Sequence, residues 1–232
     1  TRGLKDDYFK KIHKLFPKIN FFFHDFSDVS YGAKVNLMKH ITVSTFDRLF
    51  LPRVLDKLDK VLYLDVDILV RGDVGELYDT KLGDKVFAGK KSELGGWENL
   101  IDVITRVSLL LPPKKAWALR RRAHATGNMI ADTYNAGILL MNLKKMREED
   151  FIENNLYLVE ELRLNDQDVM NFYSAGRALK LDGDWNYVPT QDYSKNPKIV
   201  HWAGPAKPWK PAFALYKDEF QAIAKELKAA NK

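Results

Sequence analysis

Residues 60–70 read KVLYLDVDILV, an apolar and β-branched run that predicts a buried β-strand with two acids near its carboxyl end. Because successive strand residues point to opposite faces, Asp65 and Asp67 are expected to share a face and their carboxylates to converge. Carboxylates held together in apolar surroundings repel unless a cation or a shared proton relieves them. A divalent metal with oxygen ligands is such a cation, and it would sit between these acids and a diphosphate. The alternative is an ordinary strand end whose acids are solvated or pair with Arg71 or Lys60.

Segments of helix and strand character alternate along the rest of the chain, which favours an α/β fold with a largely parallel sheet. Ligand sites in such sheets lie outside the carboxyl ends of the strands, which is where the two acids are expected. The predicted helices cover residues 4–15, 44–57, 150–162 and 166–174, and the other predicted strands cover 19–24, 86–89, 134–142, 179–181 and 198–201.

The composition limits the classes of protein that the chain can represent. With 232 residues, 46% of them hydrophobic, it can bury a full core as one domain. It has no apolar run of the length that a membrane-spanning helix needs, and its lack of cysteine excludes disulfides and cysteine-based metal sites. The net charge of +6 suggests an anionic partner: nucleic acid, an acidic membrane surface or a phosphorylated substrate. The basic residues cluster without a stripe of stacking aromatics, so nucleic acid is not expected.

Four separated segments together resemble one family. They are DVD at residues 65–67, NAGILLMN at 135–142, NDQD at 165–168 and HWAGPAKPW at 201–209. The chain is similar in these motifs to the family 8 glycosyltransferases, retaining enzymes that include glycogenin and the bacterial lipopolysaccharide galactosyl- and glucosyltransferases. The resemblance covers roughly residues 4–212. It implies a GT-A type α/β fold, with a mixed, mostly parallel central sheet flanked by helices.

The resemblance also implies a UDP-sugar donor, Mn²⁺ or Mg²⁺, and hexose transfer with retention at the anomeric carbon. Asp65, Asp67 and His201 would hold the metal against the two phosphates of the donor, where it neutralises charge on the leaving UDP. Gly204 would let the backbone approach the diphosphate, and Lys207 would place a positive charge on it. Each of these residues also has a simpler interpretation as a structural or solvated side chain.

The catalytic residues that the resemblance implies are Asp166 and Gln167, which open a predicted helix. The acid would bind donor-sugar hydroxyls and the Gln167 side chain would lie beside the anomeric carbon. Asn135 would contact the donor sugar as well. Outside the family, Asp166 is interpreted more simply as a helix-terminal acid.

The segment from His40 to Leu49 is also similar to bacterial members of the family. His40, Thr45 and Arg48 are therefore expected to bind the donor. The alternative for Arg48 is a surface ion pair with Asp47 or Asp65.

One part of the family pattern is missing from the sequence. Family members begin with a strand–helix–strand unit that holds uracil and ribose, whereas this chain begins with the helix that follows it. We expect the chain to be a fragment of a longer enzyme. The alternatives are that another polypeptide supplies the missing unit, or that the chain is a naturally shortened, non-catalytic homologue that binds a nucleotide sugar or a carbohydrate without it.

Two basic segments have open interpretations within the single domain expected over residues 1–232. Residues 95–132 fall where bacterial members of the family carry their acceptor-binding loop, and their cations would either meet phosphates of a lipid-linked or lipopolysaccharide acceptor or form a solvated helix face. The basic C-terminal helix, residues 214–232, would either rest on an anionic membrane surface or pack on the domain. The expected partners are a UDP-sugar and a saccharide or lipid-linked saccharide acceptor, and the expected location is cytoplasmic, with peripheral contact at the inner face of the membrane.

Overall fold

The structure is a computed structural model that describes residues 2–29, 43–92, 99–162, 164–189, 196–210 and 215–230. Its elements alternate between helix and strand as predicted. In chain order they are α1 (Asp6–Leu15), a 3₁₀ helix (Val43–Phe50), α2 (Leu51–Val54), β1 (Lys60–Leu64), β2 (Ile68–Val70), α3 (Val74–Tyr78), β3 (Phe87–Lys91), α4 (Leu100–Leu110), α5 (Pro113–Ala125), β4 (Tyr134–Asn142), α6 (Leu143–Glu148), α7 (Phe151–Glu160), α8 (Asp166–Ser174), β5 (Ala178–Lys180), a second 3₁₀ helix (Gly183–Asn186), β6 (Ile199–His201) and α9 (Lys217–Ala230).

A mixed sheet with the strand order β1-β4-β3-β5 forms the centre of the described chain, and β2 pairs with β6 in a smaller antiparallel sheet. The α/β class with a mixed sheet flanked by helices is therefore confirmed. Strand β4 runs against both of its neighbours, and β3 runs parallel to β5. Two of the three pairings in the larger sheet are thus antiparallel, so these four strands are less parallel than the alternation of elements predicts.

The long central strand β4 places the core on both faces of the sheet. Leu139 and Met141 pack into the larger cluster under the helices, whereas Ile138 and Leu140 face a second cluster built around Leu77. This alternation follows from the two-residue period of a strand, and burial of both faces explains why the sequence of β4 is a continuous apolar run.

The predicted strand at residues 60–70 is divided in the structure. Strand β1 ends at Leu64 and β2 begins at Ile68, and the two lie in different sheets. Asp65 still donates its backbone N–H to the Gly137 carbonyl at 2.8 Å, whereas the Asp67 carbonyl accepts from the N–H of Trp202 at 3.0 Å. The chain therefore passes from one sheet to the other between the two acids. They lie in a link between strands rather than on one face of a strand.

Two further predictions of secondary structure were wrong. Residues 20–26 have no regular secondary structure, and Phe21 and Phe23 pack on α1; the rings of Phe23 and Phe9 lie 4.1 Å apart. The helix predicted at residues 44–57 is a 3₁₀ helix followed by the short α2. Pro52 lacks an N–H to donate, so it fits in the first turn of a new helix and not in the interior of a longer one.

Candidate active site

Three potential metal ligands converge where the two sheets meet. Asp65 follows β1, Asp67 precedes β2, and His201 ends β6, the partner of β2. One ligand atom of each residue lies within 4.8 Å of the other two. The Nε2 atom of His201 is 3.7 Å from Asp65 Oδ2 and 3.5 Å from Asp67 Oδ1. The sheet pairing therefore joins residues that are far apart in the sequence into one candidate cation site.

Gly137 makes the room that this cluster needs. It lies on β4 opposite the end of β1, and a Cβ atom added there would meet His201 Cε1 at 2.1 Å and Asp65 Oδ2 at 2.8 Å. Real Cβ atoms do not approach other atoms so closely, so any side chain at residue 137 would displace a ligand. Two carboxylates and one imidazole in such a cradle suit Mn²⁺ or Mg²⁺.

Asn186 orients the imidazole and was missed by the sequence analysis. This buried side chain lies on the second 3₁₀ helix, with its Oδ1 2.9 Å from His201 Nδ1. An imidazole that donates from Nδ1 keeps the lone pair of Nε2 for a metal. Asn186 also donates to Asn135 Oδ1 at 2.9 Å, which connects His201 to the beginning of β4. It belongs to none of the recognised motifs, so the sequence gives no signal for it.

The two acids do not pair with Arg71 or Lys60. Arg71 forms an ion pair with Glu219, and Lys60 donates to the Tyr78 carbonyl. The alternative that they pair with Arg71 or Lys60 was therefore wrong.

Lys207 is the lysine that pairs with Asp67, and it also donates to the Trp202 carbonyl at 2.8 Å. Although burial disfavours the charged carboxylate, its contacts with His201 and Lys207 hold the pKa of Asp67 well below its ordinary value. Asp67 is therefore ionised at neutral pH.

Arg48 connects the metal cluster to the sugar end of the site. It is buried, and its guanidinium lies 2.9 Å from Asp65 Oδ1 and 3.0 Å from Asp166 Oδ2. It also donates to the carbonyls of Ala136 and Thr45 and lies over the face of Tyr63, 4.4 Å from the ring centroid. The alternative of a surface ion pair was wrong, because the pair with Asp65 is buried inside the site.

The first turn of α8 brings the predicted catalytic residues to this cluster. Asn165 caps the helix by accepting from the Asp168 N–H at 2.7 Å, so the turn that begins with Asp166 faces the site. The Gln167 Oε1 atom accepts from the Ala136 N–H at 3.1 Å and lies 3.4 Å from Asn135 Nδ2. Burial raises the pKa of Asp166, and the facing Arg48 offsets part of that rise.

These side chains line one cavity of about 340 Å³, a volume in the range of small-ligand sites. Gly204 lies in its wall with φ of +125°, a conformation that residues with a side chain rarely adopt. His40 lies outside the described residues. The structure brings together all the other predicted site residues: Thr45, Arg48, Asp65, Asp67, Asn135, Asp166, Gln167, His201, Gly204 and Lys207.

Another ion pair in the cavity wall was not predicted. Arg106 on α4 contacts both carboxylate oxygens of the buried Asp168, at 2.9 and 2.8 Å. Burial raises the pKa of Asp168 to about 6, and the guanidinium of Arg106 offsets only part of the rise. Asp168 lies within the recognised NDQD segment, but Arg106 lies in the insertion, where no motif marks it.

Comparison with known proteins identifies the family. The glycosyl transferase family 8 model matches residues 1–212, so the chain belongs to that family. The lipopolysaccharide 1,3-galactosyltransferase of Salmonella typhimurium is 26% identical over 188 residues, which are 74% of this chain and 50% of that protein. The lipopolysaccharide 1,2-glucosyltransferase of Escherichia coli is 26% identical over 170 residues, 66% of this chain and 44% of that protein. The chain thus spans about half the length of these relatives.

Solved structures confirm the GT-A fold. The galactosyltransferase LgtC, solved with donor and acceptor sugar analogues, gives a TM-score of 0.61 at 26% identity, over 82% of this chain and 69% of that one. The Streptococcus pneumoniae glycosyltransferase GlyE gives 0.62 at 20% identity, over 99% of this chain and 54% of that one, and supports the fold alone.

Proposed function

We propose that this chain carries the catalytic site of a retaining glycosyltransferase that moves glucose or galactose from a UDP-sugar to a saccharide acceptor. The acceptor class is a lipopolysaccharide core or another surface polysaccharide. The convergence of Asp65, Asp67 and His201 beside a cavity that contains Gln167 carries the proposal. Residues 1–232 act in it as one domain, with residues 95–132 on the acceptor side.

The metal end of the cavity binds the diphosphate. A bound Mn²⁺ or Mg²⁺ supplies positive charge to the phosphates and to the leaving UDP. Lys207 lies next to Asp67 at the same end and adds a cationic donor for a phosphate oxygen. The backbone at Gly204 has no side chain that would block its approach to the diphosphate.

The helix end of the cavity holds the sugar. Asp166 accepts hydrogen bonds from sugar hydroxyls, while its pairing with Arg48 fixes the carboxylate in place. The Gln167 amide, held by the Ala136 N–H, lies beside the anomeric carbon. Because an amide is a poor nucleophile, we favour substitution on the same face of the sugar, with the leaving phosphate oxygen accepting the proton of the acceptor.

The first test is calorimetric titration of the chain with UDP, with and without Mn²⁺. We expect Mn²⁺-dependent binding that Asp67→Asn abolishes and that Lys225→Asn, a change on the remote helix α9, leaves intact. Binding without Mn²⁺, or equal binding by Asp67→Asn, would contradict the proposed metal site.

The second test is turnover of UDP-glucose and UDP-galactose by the same protein. We expect slow hydrolysis of one donor and faster transfer when a lipopolysaccharide-core oligosaccharide is added. Metal-dependent binding without any turnover would instead support the non-catalytic alternative.

A further inference from the structure

Exposed apolar side chains lie at the junction between α4 and α5, outside the lining of the catalytic cavity. Leu109 and Leu110, at the end of α4, are 79% and 75% exposed, and Trp117 on α5 is 62% exposed. Large apolar side chains that are so exposed and so close together in the sequence indicate an interaction surface. We call residues 109–121 the hairpin tip.

The hairpin tip is also uniformly basic. No acid occurs between Asp102 and Asp132, and this interval contains six cations. Most of them belong to the tip, and the Arg121 guanidinium lies 5.4 Å from the centroid of the Trp117 ring. The six are Arg106, Lys114, Lys115, Arg120, Arg121 and Arg122.

We propose that the hairpin tip docks this protein on an anionic lipid surface. Leucine and tryptophan side chains enter the boundary between headgroups and acyl chains, and flanking lysines and arginines bind anionic headgroups. A tip with this composition and without acids fits such a surface better than it fits a protein partner with charges of both signs. None of the described helices is long and apolar enough to cross a membrane.

The C-terminal helix α9 fits a membrane surface less well than the hairpin tip does. Residues 217–230 contain three lysines and three acids, so this helix has no net positive charge. Its first turn packs Phe220 against Trp202, with ring centroids 5.6 Å apart. Ile223 and Leu227 are 41% and 38% exposed, about half as much as the leucines of the tip.

Docking by the tip would place the catalytic cavity close to the lipid. Arg106, which lines the cavity, precedes Leu110 by four residues on α4, about 6 Å along the helix axis. A saccharide attached to a lipid would then reach the cavity without leaving the surface. This last step rests on the proposed function, whereas lipid binding itself does not.

Vesicle flotation tests the proposal directly. The probes are vesicles of phosphatidylcholine mixed with phosphatidylglycerol, and vesicles of phosphatidylcholine alone. We expect binding to the anionic vesicles only, weakened by salt. Leu109→Ser with Leu110→Ser should abolish detectable flotation, and Lys114→Gln with Lys115→Gln should lower the partition coefficient about 25-fold, at about fivefold for each cation.

Two matched variants control for general effects of exposed apolar residues. Leu58→Ser, at a residue that is 48% exposed and remote from the tip in sequence, should leave flotation unchanged. Ile223→Ser with Leu227→Ser should also leave it unchanged. Retention of wild-type flotation by the tip variants, or its loss in the α9 variant alone, would overturn the proposal.

Sedimentation without vesicles measures the oligomeric state and so tests whether a second copy of the chain covers the tip. A dimer that the Leu109→Ser and Leu110→Ser variant converts to a monomer, without any vesicle binding by the wild type, would show that a second copy covers the tip. UDP binding measured on the same variants distinguishes the two proposals. The tip variants should keep wild-type Mn²⁺-dependent UDP binding, so loss of flotation and loss of donor binding can be observed independently.

Discussion

At the two ends of the catalytic cavity, the pKa values of carboxylates are shifted in opposite directions. At the metal end, the contacts of Asp67 with His201 and Lys207 outweigh burial and lower its pKa. At the helix end, burial outweighs Arg106 and raises the pKa of Asp168 to about 6. The metal end thus keeps a negative charge that a cation would balance. The helix end holds its polar groups in buried, hydrogen-bonded positions. Arg48, paired with acids of both ends, connects them.

The largest effect is expected from removing charge at the metal end. Asp67→Asn keeps the shape of the side chain but removes a metal ligand and the partner of Lys207. We expect transfer to fall by at least about 10³-fold, since the metal supplies several kcal/mol of charge stabilisation. Steady-state kinetics with Mn²⁺ measures the loss, and circular dichroism checks that the fold is kept. Wild-type activity in this variant would refute the distinction between the two ends.

Gly137→Ala tests whether the metal end needs the space beside Gly137, and it does so without changing a charge. The new methyl group would overlap His201 and Asp65, so the triad must spread or the strand must shift. We expect Mn²⁺-dependent UDP binding to fall by about 100-fold, and stability to fall by about 1–3 kcal/mol, as overpacking costs. Gly183→Ala is the matched control, since a Cβ there meets no atom closer than 3.8 Å. Equal affinity in both variants would show that the triad does not hold the metal.

Asn186→Leu tests whether the orientation of the His201 imidazole matters for metal binding when all three ligands are present. The substitution removes the acceptor at His201 Nδ1 but leaves all three ligands in place. Loss of such a partner lowers metal affinity by about 10–100-fold. Mn²⁺ titration followed by electron paramagnetic resonance measures the affinity directly. The Asn186→Asp variant retains an acceptor and should restore most of it, and failure of that rescue would reduce Asn186 to a packing residue.

That Asp65, Asp67 and His201 lie together could be predicted from the sequence, because they lie in recognisable motifs. The structural reason why these residues meet could not be predicted. Asp65 and Asp67 meet because the chain changes sheets between them, whereas the sequence predicts one strand with both acids on one face. A run of apolar residues is compatible with one strand or two, and only the partners β4 and β6 decide where it divides.

The supporting residues of both ends escaped prediction for a related reason. Asn186 and Arg106 act through contacts with residues 15 and 62 positions away, respectively. Neither lies in a motif, and an asparagine on a short 3₁₀ helix or an arginine on a basic helix is usually solvated. By contrast α8 was predicted with its correct bounds, because its N-cap Asn165 and its apolar period are local features.

The smallest expected effect concerns the pH dependence of stability at the helix end. Because the folded-state pKa of Asp168 is raised from 3.8 to about 6, the folded protein binds this proton more tightly than the unfolded chain does. The resulting stabilisation is complete below pH 4 and is lost as the pH rises through 6. Asp168→Asn cannot ionise, so its free energy of unfolding should fall less than that of the wild type between pH 4.5 and 7.

Arg106→Met should change this dependence in the opposite direction. Without the guanidinium the pKa of Asp168 rises further, so the loss of stability should extend above pH 6. Urea denaturation at several pH values measures both variants, and the difference from wild type should not exceed about 3 kcal/mol. If the free energy of unfolding depended on pH in the same way in the wild type and both variants, ionisation of Asp168 would not destabilise the fold. The contrast between the two ends of the cavity would then disappear.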